Sequence, residues 1–140
     1  MSYIVTTNPD SMVVYQRVAC IYTMAEIVES NERIKTLVGN DGYRFLFDLR
    51  AMRHLDVPDS FLEQLAARMK TELPVRYRAI VANERHIEEM ERFASLAMTS
   101  FENVKAFDDI DKACDWLMVA DADILIKIPE RRSGGLPVRN

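Results

Sequence analysis

Tyr43-Arg44-Phe45-Leu46-Phe47-Asp48-Leu49 is the stretch on which the fold turns. Consecutive side chains of a strand point to opposite faces, so the apolar run Phe45-Leu46-Phe47 needs cover on both sides. A strand of that kind lies at the centre of a sheet with helices on each face. Toward the N-terminus, Gly39-Asn40 ends a helix with an apolar stripe of Met24, Ile27, Val28, Ile34 and Leu37/Val38. Thr23, with Glu26 three residues on, gives that helix a capping box. Met12 to Ile21, rich in Val and Tyr, reads as a strand that pairs with Tyr3 to Thr7 across the turn Asn8-Pro9-Asp10-Ser11.

Toward the C-terminus, Arg50 to Asp59 reads as a loop leading to a helix from Ser60 to Thr71. Its buried stripe is Phe61, Leu62, Leu65 and Met69, and Leu73-Pro74 ends it. Arg76 to Ala82 is the next strand. Asn83 is placed to cap a helix from Glu84 to Ser100 that buries Ile87, Met90, Ala94, Ala97 and Met98. Val104 to Phe107 is a short strand, and Asp108 caps a last helix carrying Ile110, Ala113, Cys114, Trp116 and Leu117. The order β β α β α β α β α predicts an α/β domain. Its sheet of four to five strands is mixed but mostly parallel, with one antiparallel edge, and helices flank it.

This domain spans residues 1–120. Residues 121–140 form a separate segment: Asp123-Ile124-Leu125-Ile126-Lys127-Ile128 is β-prone, and Pro129 to Asn140 is a charged tail containing Gly and Pro. Ile124, Ile126 and Ile128 share one face, which needs cover. The expectation is a homodimer with this run at or near the interface; folding back onto its own subunit is the alternative.

Hydrophobic residues make up 49% and charged residues 29% of the 140, a globular mixture. The net charge of −4 and the scattered basic residues argue against nucleic acid, which demands a concentrated basic surface. No secretory leader or membrane-length apolar run is expected, and a cytoplasmic location follows. Cys20 and Cys114 have no paired spacing and read as buried free thiols.

The chemistry-bearing residues are few. There is no Gly-rich phosphate loop and no nucleophile elbow, so no catalytic residue is assigned, and neither a cofactor nor a metal is expected. His54 and His86 lack any metal-ligand spacing and read as solvated histidines. Asp48 at a strand end suggests a receiver phosphoacceptor, but the first strand lacks the acidic pair needed for Mg²⁺, which leaves a structural aspartate. Asp56, Asp59 and Ser60 line a helix N-terminus where an anion or a partner could dock; capping, with Glu63 three residues after Ser60, is the plainer reading. Of eight methionines, Met24, Met69, Met90, Met98 and Met118 fall on or beside helix stripes. Core filling explains them, and an adaptable ligand or partner surface is the alternative.

Three segments together resemble a known family. Tyr43 to Asp56 (YRFLFDLRAMRHLD), the strand–helix unit RYRAIVANERHIEEMERFASLAM and VKAFDDIDKACDWL from Val104 to Leu117 resemble, in order and spacing, the STAS domain in its SpoIIAA-like branch. The resemblance implies a mixed sheet flanked by helices and a regulatory or protein-interaction module rather than an enzyme. It also implies a phosphorylatable serine after the Asp-Leu strand, where this chain has Pro58, with Ser60 displaced by two residues. Phosphate at a helix N-terminus would meet free amides and the helix dipole, but Pro58 cannot accept it. The branch is similar to lipid-binding Sec14-type domains, which implies an apolar ligand under a movable helix as the alternative function. The implied interaction surface is Asp48, Arg50, Asp56, Pro58, Asp59 and Ser60, with an unidentified regulatory protein or apolar ligand as partner.

Overall fold

The computed structural model describes residues 2–39, 41–72, 77–98, 102–120 and Ile124. Its strands are β1 (Tyr3–Asn8), β2 (Val13–Thr23), β3 (Arg44–Asp56), β4 (Arg78–Ala82) and β5 (Val104–Phe107). The helices are α1 (Met24–Val38), α2 (Phe61–Glu72), α3 (Ile87–Ala97) and α4 (Ile110–Leu117). The strands lie in the sheet in chain order. β1 is antiparallel to β2, and every other pairing is parallel. This is the expected mixed, mostly parallel sheet with one antiparallel edge.

Alternation along the strands sorts the core into two layers. Val18, Leu49, Ile80 and Ala82 face α1, α2 and α3, while Val13, Tyr15, Leu46, Ala79 and Val81 face α4. Phe45 and Phe47 on the first face and Leu46 on the second fulfil the demand for cover on both sides.

Several elements differ from the sequence expectation. The stretch from Arg50 to Asp56 is not a loop: β3 runs on to Asp56 and pairs with β2 as far as Thr23. Two register shifts, between Arg17 and Ala19 and between Cys20 and Ile21, break the alternation there. Arg53 and His54 are both exposed, so the period-two signal is lost. Cys20 sits in this irregular stretch at φ 62° and is exposed, not buried; Cys114 is buried as expected.

β4 ends at Ala82, and Asn83 takes over as the neighbour of β3. Its Nδ2 donates to the carbonyls of Arg50 (3.0 Å) and Met52 (2.9 Å), while its Oδ1 accepts from the Arg85 amide (3.0 Å). Asn83 therefore organises a turn rather than capping α3, which starts at Ile87 with His86 before it. Asn83→Ala removes both bonds to β3, and at about 1 kcal/mol for each part-exposed bond the expected loss is about 2 kcal/mol in urea unfolding. A loss below ~0.5 kcal/mol would mean that water replaces the amide without cost.

In α1 the buried positions are Ile27, Ser30, Ile34 and Val38, whereas Met24, Val28 and Leu37 are exposed. Thr23 accepts from the Glu26 amide at 3.2 Å. The reciprocal half of the capping box is replaced, because the Glu26 carboxylate accepts from the amide (2.9 Å) and hydroxyl (2.6 Å) of Ser2. Gly39 closes the helix at φ 55°, donating to the Lys35 carbonyl, a conformation that costs glycine little. Asp109, one residue later than expected, caps α4 by accepting from Asp111 and Lys112. Trp116 packs edge-on to Tyr77 at 5.4 Å between ring centroids. α3 ends at Ala97, short of the expected Ser100, because Met98 turns to extended backbone while its amide donates to the Ala94 carbonyl. The expected end of α2 at Leu73-Pro74 and the segment from residue 121 lie outside the described residues, apart from Ile124. Ile124 has helical backbone and is 3% exposed in the α4 layer, not a strand residue.

Candidate functional site

The face of the sheet under α1, α2 and α3 is not filled. α1 rests on β1 and β2, while α2 packs on α3. Between them lies a cavity of about 120 Å³. Phe47, Leu49 and Ile80 form part of its floor, Ile27 and Ile34 the α1 wall, and Leu62, Leu65 and Met69 the α2 wall. Such walls favour apolar matter over water, which needs polar partners to stay in a cavity.

Polar groups in the floor are mutually bound. Gln16 Nε2 donates to the Tyr22 hydroxyl at 2.6 Å, and Tyr22 and Ser30 lie 2.7 Å apart. The Ser30 proton goes to the Ile27 carbonyl at 3.0 Å, so Tyr22 donates to Ser30. Burial pushes the Tyr22 hydroxyl up to about 12, which keeps it a donor at neutral pH. Asn31, Lys35, Asp41 and Arg78 supply the remaining polar lining. The Arg78 guanidinium lies 5.0 Å over the Phe45 ring.

A second, smaller groove runs between α1 and α2 and shares Asn31, Lys35, Leu65 and Met69 with the cavity. It forms the mouth.

The six residues singled out from sequence fall elsewhere. Asp48 is 2% exposed on the α4 face of the sheet. Its carboxylate accepts from the Tyr15 hydroxyl (2.6 Å), from Arg50 Nε (2.9 Å) and from Arg50 Nη2 (2.8 Å). Burial alone would raise its pKa, but Arg50 and Tyr15 together hold it below the ordinary carboxylate range. Asp56, Pro58, Asp59 and Ser60 are exposed where β3 passes into α2; the Pro58 carbonyl accepts from Phe61, and the Ser60 carbonyl from Gln64. None of the six lines the cavity, although Leu55 and Leu62 beside them do.

Of the methionines, Met69 and Met90 line the cavity, whereas Met24 and Met118 are exposed. His86 is 6% exposed, not solvated, and its Nδ1 lies 3.1 Å from Asn83 Oδ1. Burial lowers its pKa, so the folded state resists protonation. That contribution to stability is present above the unfolded histidine value of about 6.5 and is lost as pH falls below it and through the lower folded value. The His86→Gln variant is expected to lose less stability than wild type between pH 7.5 and 5.5, read as Tm; parallel curves would refute this.

Of the polar cavity-lining residues that sequence reasoning missed, which include Gln16, Tyr22, Asn31 and Arg78, Gln16 left a signal. Gln16 is the inward polar residue among Val13, Val14, Tyr15 and Val18, whereas Asn31, among Glu29, Ser30, Glu32 and Arg33, does not stand out from its helix.

No helix among the described residues is long and apolar enough to cross a membrane. No curated protein matches the chain. Among solved structures it is similar to an uncharacterized protein of the DUF3478 family with a SpoIIAA-like fold from Shewanella loihica PV-4. The TM-score is 0.58 at 17% identity, covering 83% of this chain and 94% of that one. The family model described as SpoIIAA-like matches residues 13–118, from the start of β2 to the end of α4. With the sheet order, the two helical layers and this match in agreement, the chain belongs to the SpoIIAA-like family.

Proposed function

We propose that this protein is a non-enzymatic cytoplasmic module that carries or senses a small apolar ligand in the cleft between α1, α2 and the sheet. The observation that carries this reading is the cavity of about 120 Å³ with its apolar walls. Its volume is close to that of an engineered cavity of about 150 Å³ that stays dry and binds benzene. Mass spectrometry of organic extracts of protein purified from its native cells tests it. A stoichiometric apolar compound supports the proposal, and an empty protein that also takes up no added alkyl ligand refutes it.

A second reading, a protein-interaction module, is favoured by the exposure of Asp56, Pro58, Asp59 and Ser60 together at the start of α2. In this reading Pro58 removes the family's phosphoacceptor, so binding is not switched at that position. A stable protein partner lost on Ser60→Asp, with stoichiometric phosphate on native Ser60, would replace this unswitched version by a phosphorylated one.

A further inference from the structure

We propose that the cleft takes a single-chain amphiphile with an anionic head, a medium-chain carboxylate by class, held tail inward with its head between α1 and α2. This rests on the reading of the cleft as an apolar-ligand site. The cavity of about 120 Å³ sets the buried part of the chain. A slightly larger cavity takes a benzene ring, so about six carbons fit inside. The rest of a longer chain must leave the cavity, and the adjoining groove between α1 and α2 is the route proposed.

The way out is marked by the shared residues. A chain passing from cavity to groove runs between Asn31 and Lys35 on α1 and Leu65 and Met69 on α2. Leu65 and Met69 continue the apolar path, and beyond them the groove adds Phe61, Gln64 and Arg68. The head of a tail-inward ligand therefore lies among Asn31, Gln64, Lys35 and Arg68. Both amides can donate to a carboxylate, and both cations attract it.

Charge decides the sign of the head. Among its described residues the groove carries the cations Lys35 and Arg68 and the carboxylate of Glu32, in a protein of net charge −4. Lys35 is paired to Glu32 at 3.3 Å, but with side chains 39% and 65% exposed the pair is weakly held and can yield to a ligand. A cationic head would face two like charges, and a neutral head would gain only hydrogen bonds. Inside the cleft the Tyr22 hydroxyl is taken up by Gln16 and Ser30, so the floor does not compete for the head through that group.

Titration calorimetry of the full chain with decanoate, decanol and decyltrimethylammonium, each below its micellar concentration, tests the proposal. Decanoate is expected to bind at least about tenfold tighter than decyltrimethylammonium, and the gap should narrow with added salt. In the double variant Lys35→Glu, Arg68→Glu, decanoate should weaken by about tenfold or more, while decanol stays within about threefold and reports an intact cleft. Binding that ignores the head charge, or that favours the cation, overturns the carboxylate assignment and leaves the apolar-ligand reading standing. Failure of all three probes to bind overturns both.

Discussion

Leu46→Ala is expected to destabilise the protein by about 3–4 kcal/mol, seen as a lowered urea midpoint with an unchanged slope. Leu46 is 0% exposed on the central strand, and its register neighbours are Tyr15 on β2 and Ala79 on β4. It packs in the α4 layer with Val81, Cys114 and Leu117. Shortening it opens a cavity between rigid strands and a short helix that cannot collapse to fill it, which puts the cost toward the upper part of the usual Leu→Ala range. Against a total stability of about 5–15 kcal/mol this is a large fraction. Val28→Ala on the exposed side of α1 is the matched control, with an expected cost within about 0.5 kcal/mol. Equal losses at the two positions would contradict the layer assignment.

Leu65→Trp is expected to reduce binding of decanol or decanoate by about tenfold or more while the fold persists. Leu65 is half-buried and lines both the cavity and the groove, so an indole at this position occupies the passage between them. One side of Leu65 is open, so the larger ring can seat itself without displacing the sheet, and the stability change should stay within about 1–2 kcal/mol. Native-like near-ultraviolet dichroism together with lost binding supports the cleft as the site. Full binding by a folded Leu65→Trp protein would place the ligand elsewhere.

The parts legible in the sequence are those in which one element's own pattern sets the outcome. Phe45-Leu46-Phe47 announced a doubly covered central strand, and Val104 to Phe107 fell where the pattern put it. The stripe of α1 was legible only in part. Ser30 is fully buried because Tyr22, eight residues earlier, meets its hydroxyl, a condition invisible to helical periodicity. Arg50 to Asp56 looked like a loop because two register shifts break the alternation and Asn83, far along the chain, satisfies the carbonyls that β4 leaves unpaired. The cavity itself belongs to no single element. It is the space left where α1 rests on β1 and β2 while α2 leans on α3, and no local pattern encodes a gap between helices. The six residues chosen from sequence cluster at Asp48–Arg50, with Asp48 on the opposite face of the sheet from the cleft, and at the start of α2; none lines the cleft.

The central claim is that an apolar chain enters between α1 and α2. Filtered NOE spectroscopy of ¹³C-methyl-labelled protein with unlabelled decanol measures this most directly. The account predicts intermolecular contacts to the methyls of Ile27, Ile34, Leu65 and Met69 and none to those of Val13, Leu46 or Leu117 across the sheet. Contacts confined to the α4 face, or to the exposed methyls of Leu37, would contradict it.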